Sequence, residues 1–149
     1  MSAPILITSR LAADQREVLE QLLFFNVNQH RVRGGIQRSI ETYGVPEIQE
    51  SDGGLRICVG GMQGVQSLFA LGESGRPVGF AVFVRLVHQR FVVMHVGVEP
   101  ELRLRPAADA NPPVLLKLMQ EIHRAARRTR GVERIELVYK APHAVRLHV

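Results

Sequence analysis

Val78-Gly-Phe-Ala-Val-Phe-Val-Arg-Leu-Val-His-Gln-Arg-Phe-Val-Val-Met-His-Val-Gly-Val98 reads as two β-strands and the turn between them. The first run, Val78 to Val87, is almost wholly apolar, as a strand covered on both faces must be. Arg85 interrupts it, and it is about half the roughly 20 residues that cross a bilayer, so a buried strand is expected rather than a membrane span. The second run, Phe91 to Val98, is again rich in β-branched and aromatic residues. His88-Gln89 is a connection short enough for a hairpin, which makes the two strands antiparallel neighbours.

Working outward, Leu55 to Val59 and Val65 to Leu71 have the same texture, with turn residues at Gly60-Gly61 and at Glu73-Ser-Gly-Arg76. The four strands form an antiparallel meander. Upstream, Ile5 to Thr8 is a short strand. Asp14-Gln-Arg-Glu17 has the spacing of a capping box, and Val18, Leu19, Leu22 and Leu23 make the apolar stripe of a helix over 14–26. Ile36, Ile40 and Tyr43 mark a weaker helix with Gly44 as its C-cap.

Downstream, Asn111-Pro112 supplies a helix start, Val114, Leu115, Leu118, Met119 and Ile122 form one stripe, and Gly131 ends it before a strand over Val132 to Tyr139. The order is βα(α)ββββαβ. Residues 1–149 are thus expected to form one domain of the α/β (α+β) class, with a mixed, mostly antiparallel central sheet flanked by helices.

A chain of 149 residues can bury a core without metal or disulfide staples, and 46% hydrophobic against 22% charged content is that of a globular protein. Cys58 is the only cysteine, which excludes an intramolecular disulfide and fits a reducing, cytoplasmic setting; a thiol nucleophile stays open. The first residues lack the basic start and long apolar run of a secretion signal, and no membrane partner is expected. A net charge of +5 attracts polyanions or a phosphorylated cofactor. Much of it comes from Arg124, Arg127, Arg128 and Arg130 in the last turns of the second long helix, where cations complement the helix dipole; a ligand role is the alternative.

Several chemistries have no support. No His-x-x-x-His or Cys-x-x-Cys spacing offers a metal site, and neither a G-x-S-x-G elbow nor a P-loop occurs. Without Trp, and with two Tyr and six Phe, the chain has no evident aromatic platform for single strands, so nucleic acid is not the expected partner, and a basic nucleic-acid-binding module with steeply salt-dependent binding stays as a third reading.

Three stretches together resemble the GNAT superfamily of CoA-dependent N-acyltransferases and cover most of the chain. Arg10-Leu-Ala-Ala-Asp14 with its helix is similar to the family's opening. Phe69-Ala-Leu-Gly-Glu-Ser-Gly-Arg-Pro-Val-Gly-Phe-Ala81 resembles its second and third strands. Val93-Met-His-Val-Gly-Val-Glu-Pro-Glu-Leu-Arg103 looks like the fourth strand and its exit, and Leu115 to Leu137 like the helix and fifth strand that follow.

The resemblance implies transfer of an acetyl or other acyl group from acyl-CoA to the amine of a small molecule or peptide. Pantetheine would lie between splayed fourth and fifth strands, against backbone groups of Val96, Gly97 and Val98. The family's glycine-containing diphosphate turn is missing; Arg103 begins the segment, Pro106 lacks an N–H, and Arg103 and Arg105 would hold phosphate with their side chains instead. For the amine proton the candidates are His95 and Glu99, since alternation puts Phe91, Val93, His95, Gly97 and Glu99 on one face. Ala144-Val-Arg-Leu147-His148 reproduces the spacing of a family helix whose tyrosine protonates the departing thiolate, with His148 in the tyrosine's place. The chain reaches Val149 where the family adds two strands, and the fifth-strand edge this leaves unpaired favours a homodimer or some covering segment. The same departures support the alternative of a noncatalytic GNAT-like binding or oligomerisation module.

Overall fold

A computed structural model describes residues 5–24, 40–99, 113–137 and 145–148, the last four through their backbone alone. The elements run β1 (Leu6–Thr8), β2 (Leu11–Ala12), α1 (Arg16–Phe24), β3 (Pro46–Ser51), β4 (Gly54–Val59), β5 (Gln66–Leu71), β6 (Pro77–Val87), β7 (Arg90–Val98), α2 (Val114–Arg128), β8 (Arg134–Leu137) and β9 (Val145–His148). They build a six-stranded sheet, β1-β5-β6-β7-β8-β9, and a three-stranded sheet, β2-β4-β3. Every pairing is antiparallel except β7 with β8, which the α2 crossover makes parallel.

The mixed, mostly antiparallel sheet and its flanking helices match the sequence expectation, as does the β6–β7 hairpin, in which Val87 pairs with Arg90 around His88-Gln89. Three strands were not expected. β2 and β3 pair with β4 to make the second sheet. β9 lies antiparallel on β8, so the edge expected to be open, and the homodimer argued from it, lose their premise.

Helix boundaries also shift. Asp14 does not cap a helix but sits inside a 3₁₀ turn, Ala13–Gln15, that leads into α1. Pro113, not Asn111, is the N-cap residue of α2, and it makes no side-chain cap bond. Residues 40–43 are helical, and Gly44 ends them as expected, at φ 114° with its N–H on the Ile40 carbonyl at 2.9 Å.

Two cores result. On one face of the large sheet, Leu19, Leu22 and Leu23 of α1 and Leu55, Ile57 and Val59 of β4 close over Phe69, Phe80, Val82, Val84, Val92 and Met94. On the other, Val114, Leu118, Ile122 and Ala126 of α2 pack on Ala81, Phe83, Phe91, Val93 and Ile135. Gly79 lets α2 come this close: a Cβ there would stand 2.7 Å from Val114 Cγ1.

Candidate active site

The end of β7 is where the sheet departs from regularity. Its register against β6 slips between Phe83↔Val93 and Val82↔His95, so Met94 is the extra residue of a β-bulge. A bulge breaks the alternation of side chains. Phe91 and Val93 face α2, whereas His95 pairs with Val82 and Gly97 with Phe80, two residues of the α1-side core. The expected single face holding Phe91, Val93, His95 and Gly97 is therefore split in two, because sequence alternation counts the bulge residue as an ordinary step.

Beyond the bulge the backbone direction is fixed by one bond, Glu99 N–H to the Val78 carbonyl at 2.8 Å. Alternation along an antiparallel ladder then aims the N–H and C=O of Gly97 at β6, and those of Val96 and Val98 at the β8 side. The parallel β7–β8 ladder runs from Arg90↔Arg134 to Val93↔Leu137, while β7 itself continues to Val98. Val96 and Val98 thus face the β8 side past the last described rung, and both already have partners in the folded chain. Gly97 serves packing: a Cβ on it would lie 2.5 Å from Phe80 Cε1, so the missing side chain is the space the ring occupies.

His95 is 2% exposed on the α1-side face. Burial disfavours the charged imidazolium and pushes its pKa from 6.5 down to about 4. At neutral pH the ring is uncharged, and loading a proton onto it costs about 4 kcal/mol. A group so placed is well suited to orient a neutral amine by hydrogen bonding and poorly suited to carry its proton away.

Glu99 stands at the mouth of the strand, where its Oε1 accepts from Arg76 Nη2 at 2.9 Å. Arg76 belongs to the β5–β6 turn, so the ion pair ties that turn to the β7 exit. His148 lies on β9 opposite Arg134, not on a helix. Arg134 pairs with Arg90 at the start of β7, so His148 is at the end of the sheet away from Val98. The structure brings His95, Val96, Gly97, Val98 and Glu99 together and sets His148 apart. Arg103 and Arg105 lie outside the described residues.

Sequence reasoning missed one polar group on the sheet. Glu136 of β8 is nearly buried and accepts from Arg90 Nη1 at 3.0 Å, with Arg134 as the cross-strand neighbour of Arg90. The signal was the acid standing between Ile135 and Leu137 in a strand. Cys58, half-buried in β4, places its Sγ 3.1 Å from Gln49 Oε1 of β3, on the second sheet rather than at this site. Among the described residues no group of His, Cys, Asp or Glu could hold a metal, and no helix is long and apolar enough to cross a membrane.

No family model matches the chain, and no curated protein does. Among solved structures it is similar to a protein of Desulfovibrio desulfuricans assigned to the GNAT family of acetyltransferases, at 14% identity and a TM-score of 0.47 over 89% of this chain and 72% of that one. It is also similar to nourseothricin acetyltransferase, at 19% identity and a TM-score of 0.45 over 94% of this chain and 78% of that one.

Proposed function

We propose that the chain is an N-acyltransferase that moves an acetyl or other acyl group from acyl-CoA to an amine in the cytoplasm. The observation that supports it best is the register of β7 beyond its bulge, which turns the backbone N–H and C=O groups of Val96 and Val98 toward the side of the sheet that β8 occupies. An extended amide-bearing arm such as pantetheine is recognised by such a row of backbone groups in the way an added strand is. Val96 and Val98 have partners already, so an arm laid there would exchange contacts rather than simply gain them.

Acyl-CoA, when bound, supplies a thioester whose carbonyl accepts the amine, so that a C–N bond forms, the C–S bond breaks with the sulfur leaving as the CoA thiolate, which takes a proton from solvent, and one proton leaves the nitrogen. In the proposed assignment His95 accepts a hydrogen bond from the neutral amine and orients its lone pair. Glu99, at the strand mouth and in reach of solvent, takes the proton directly or through a water, and Arg76 holds its carboxylate in place. Val96 and Val98 present the backbone groups against which the arm lies, with Gly97 between them turned to β6.

Isothermal titration with acetyl-CoA and desulfo-CoA tests the binding half. Saturable one-site binding of both is expected. Failure of both to bind at millimolar concentration would overturn the assignment and leave the noncatalytic module. For an acceptor found by screening amines against acetyl-CoA, Glu99→Gln should lower kcat by about 10²-fold or more with acetyl-CoA affinity unchanged.

A further inference from the structure

The corner at the end of the large sheet away from Val98 gathers positive charge from three separate segments. The β6–β7 hairpin brings Arg85, His88 and Arg90; the end of α2 brings Arg124, Arg127, Arg128 and Arg130; β8 opens with Arg134. Hydrogen bonds lock these segments together: Glu133 and Arg134 N–H groups donate to the Gln89 carbonyl at 2.8 and 3.1 Å, and Arg85 Nη2 donates to the Arg130 carbonyl at 2.7 Å. The corner holds seven arginines against Glu121, Glu133 and Glu136, an excess of four positive charges.

Among the described residues no arginine of α2 hydrogen-bonds a carbonyl of the helix's last turn. In the last turn of α2 the Ala125 carbonyl accepts from Thr129 Oγ1 at 2.8 Å and the Ala126 carbonyl from the Thr129 N–H at 3.2 Å, and the Arg130 carbonyl beyond the helix accepts from Arg85. Arg124 is taken by Glu121, and Arg90 by Glu136. Arg127, Arg128 and Arg130 are exposed, lie within one turn of one another, and among the described residues make no side-chain hydrogen bond or ion pair. Three uncommitted guanidinium groups on neighbouring surface positions repel one another weakly and together attract anions.

We propose that this corner is a docking surface for the phosphate backbone of a nucleic-acid duplex, with Arg127, Arg128 and Arg130 as its contacts. The cations are forks rather than point charges: of the 19 Lys and Arg residues in the chain, all but Lys117 and Lys140 are arginines. A duplex presents one negative charge per roughly 1.7 Å of axis, a density that carboxylates on a flexible peptide do not reach. No exposed aromatic side chain stands among the described residues of the corner, so base stacking is not offered and single strands gain nothing over a duplex. An anionic membrane would need an apolar anchor. Leu86 and Val87 at the hairpin are only 38% and 46% exposed, and even a whole myristoyl chain binds marginally. Contact with the backbone alone makes the surface sequence-independent.

Fluorescence anisotropy of the full chain with a short, labelled, mixed-sequence DNA duplex tests the proposal. With three or four phosphates engaged, the log–log slope of affinity against salt is about −3, roughly a 60-fold loss between about 50 and about 200 mM. The variant Arg127→Glu/Arg128→Glu/Arg130→Glu, whose changes are all at exposed positions and whose folding is checked by its thermal midpoint, should lose at least tenfold in affinity at the lower salt. Equal duplex binding by this variant would overturn the proposal, and so would wild-type affinity for polyglutamate or for phosphatidylserine vesicles exceeding that for the duplex. Arg127→Gln/Arg128→Gln/Arg130→Gln separates lost contacts from introduced repulsion; it too must bind more weakly than wild type.

Discussion

Replacing Gly79 by alanine tests how α2 is seated on the sheet. The new Cβ would meet Val114 Cγ1 at 2.7 Å, and Leu118 Cδ1 and the Gly97 carbonyl oxygen at 3.3 Å. Two of these neighbours cannot yield easily, since Val114 is β-branched and stiff in a helix and the Gly97 oxygen is backbone. Relief requires the first turn of α2 to lift from β6, an overpacking cost of about 1–3 kcal/mol. Against this, Gly→Ala lowers the entropy of the unfolded chain and returns about 0.4–1 kcal/mol. The net expectation is a loss of about 1–2 kcal/mol, or a fall in the thermal midpoint of roughly 3–8 °C for a chain of this size. Urea unfolding and calorimetry read it directly. Combining the change with Val114→Ala removes the closest atom, so the double variant should be less destabilised than the sum of the singles by about 1 kcal/mol. A Gly79→Ala protein as stable as the parent, or more so, would refute the packing argument.

Two further outcomes follow from buried polar groups. His95 has a folded-state pKa of about 4 against 6.5; between these values the unfolded chain binds the proton and the folded chain does not, so stability falls as the pH falls from about 6.5 to about 4. The loss totals about 3 kcal/mol, and His95→Gln should flatten that part of the stability-against-pH curve; an unchanged slope would remove His95 as its cause. Glu136→Gln leaves Arg90, whose side chain is 27% exposed, beside a neutral amide. A loss of about 2 kcal/mol is expected in urea unfolding, falling well below the sum when Arg90→Met is added, and additive losses would show that the pair is not coupled.

What the sequence disclosed depended on where each strand lies. β5, β6 and β7 are covered on both faces and announce themselves as apolar runs between turn residues, and the stripe Leu19, Leu22 and Leu23 does the same for α1. β3 is an edge strand whose residues from Glu47 to Ser51 are mostly in contact with water, so Pro46-Glu-Ile-Gln-Glu-Ser51 carries little hydrophobic pattern. Its one legible mark was the turn after it: Asp52 and Gly53 both have positive φ, 52° and 77°, the conformation a two-residue hairpin loop needs and Asp-Gly supplies. β9 escaped for a different reason. Ala144, Leu147 and His148 have helical spacing by resemblance, while the pairing of Val145 to His148 with β8 is a non-local contact that no local pattern encodes.

The bulge at Met94 links these levels, and nothing in Val92-Val-Met-His95 foretells it. One extra residue puts Met94 and His95 on the same face as Val82, burying a histidine where strict alternation would have turned it toward α2. The same residue sets the phase of everything after it. Phe80 closes over Gly97, and the backbone of Val96 and Val98 turns toward the β8 side. Flattening the bulge with Met94 kept in the ladder would pair Met94 with Val82 and His95 with Ala81, turn the imidazole to the α2 side, and shift the backbone groups of Val96 and Val98 by half a period, whereas deleting Met94 would leave Val82↔His95 as it is. The candidate site therefore depends on a register step before it depends on any side chain, and a chain with His95 and Glu99 intact but Met94 drawn into the ladder would hold both residues in the wrong phase.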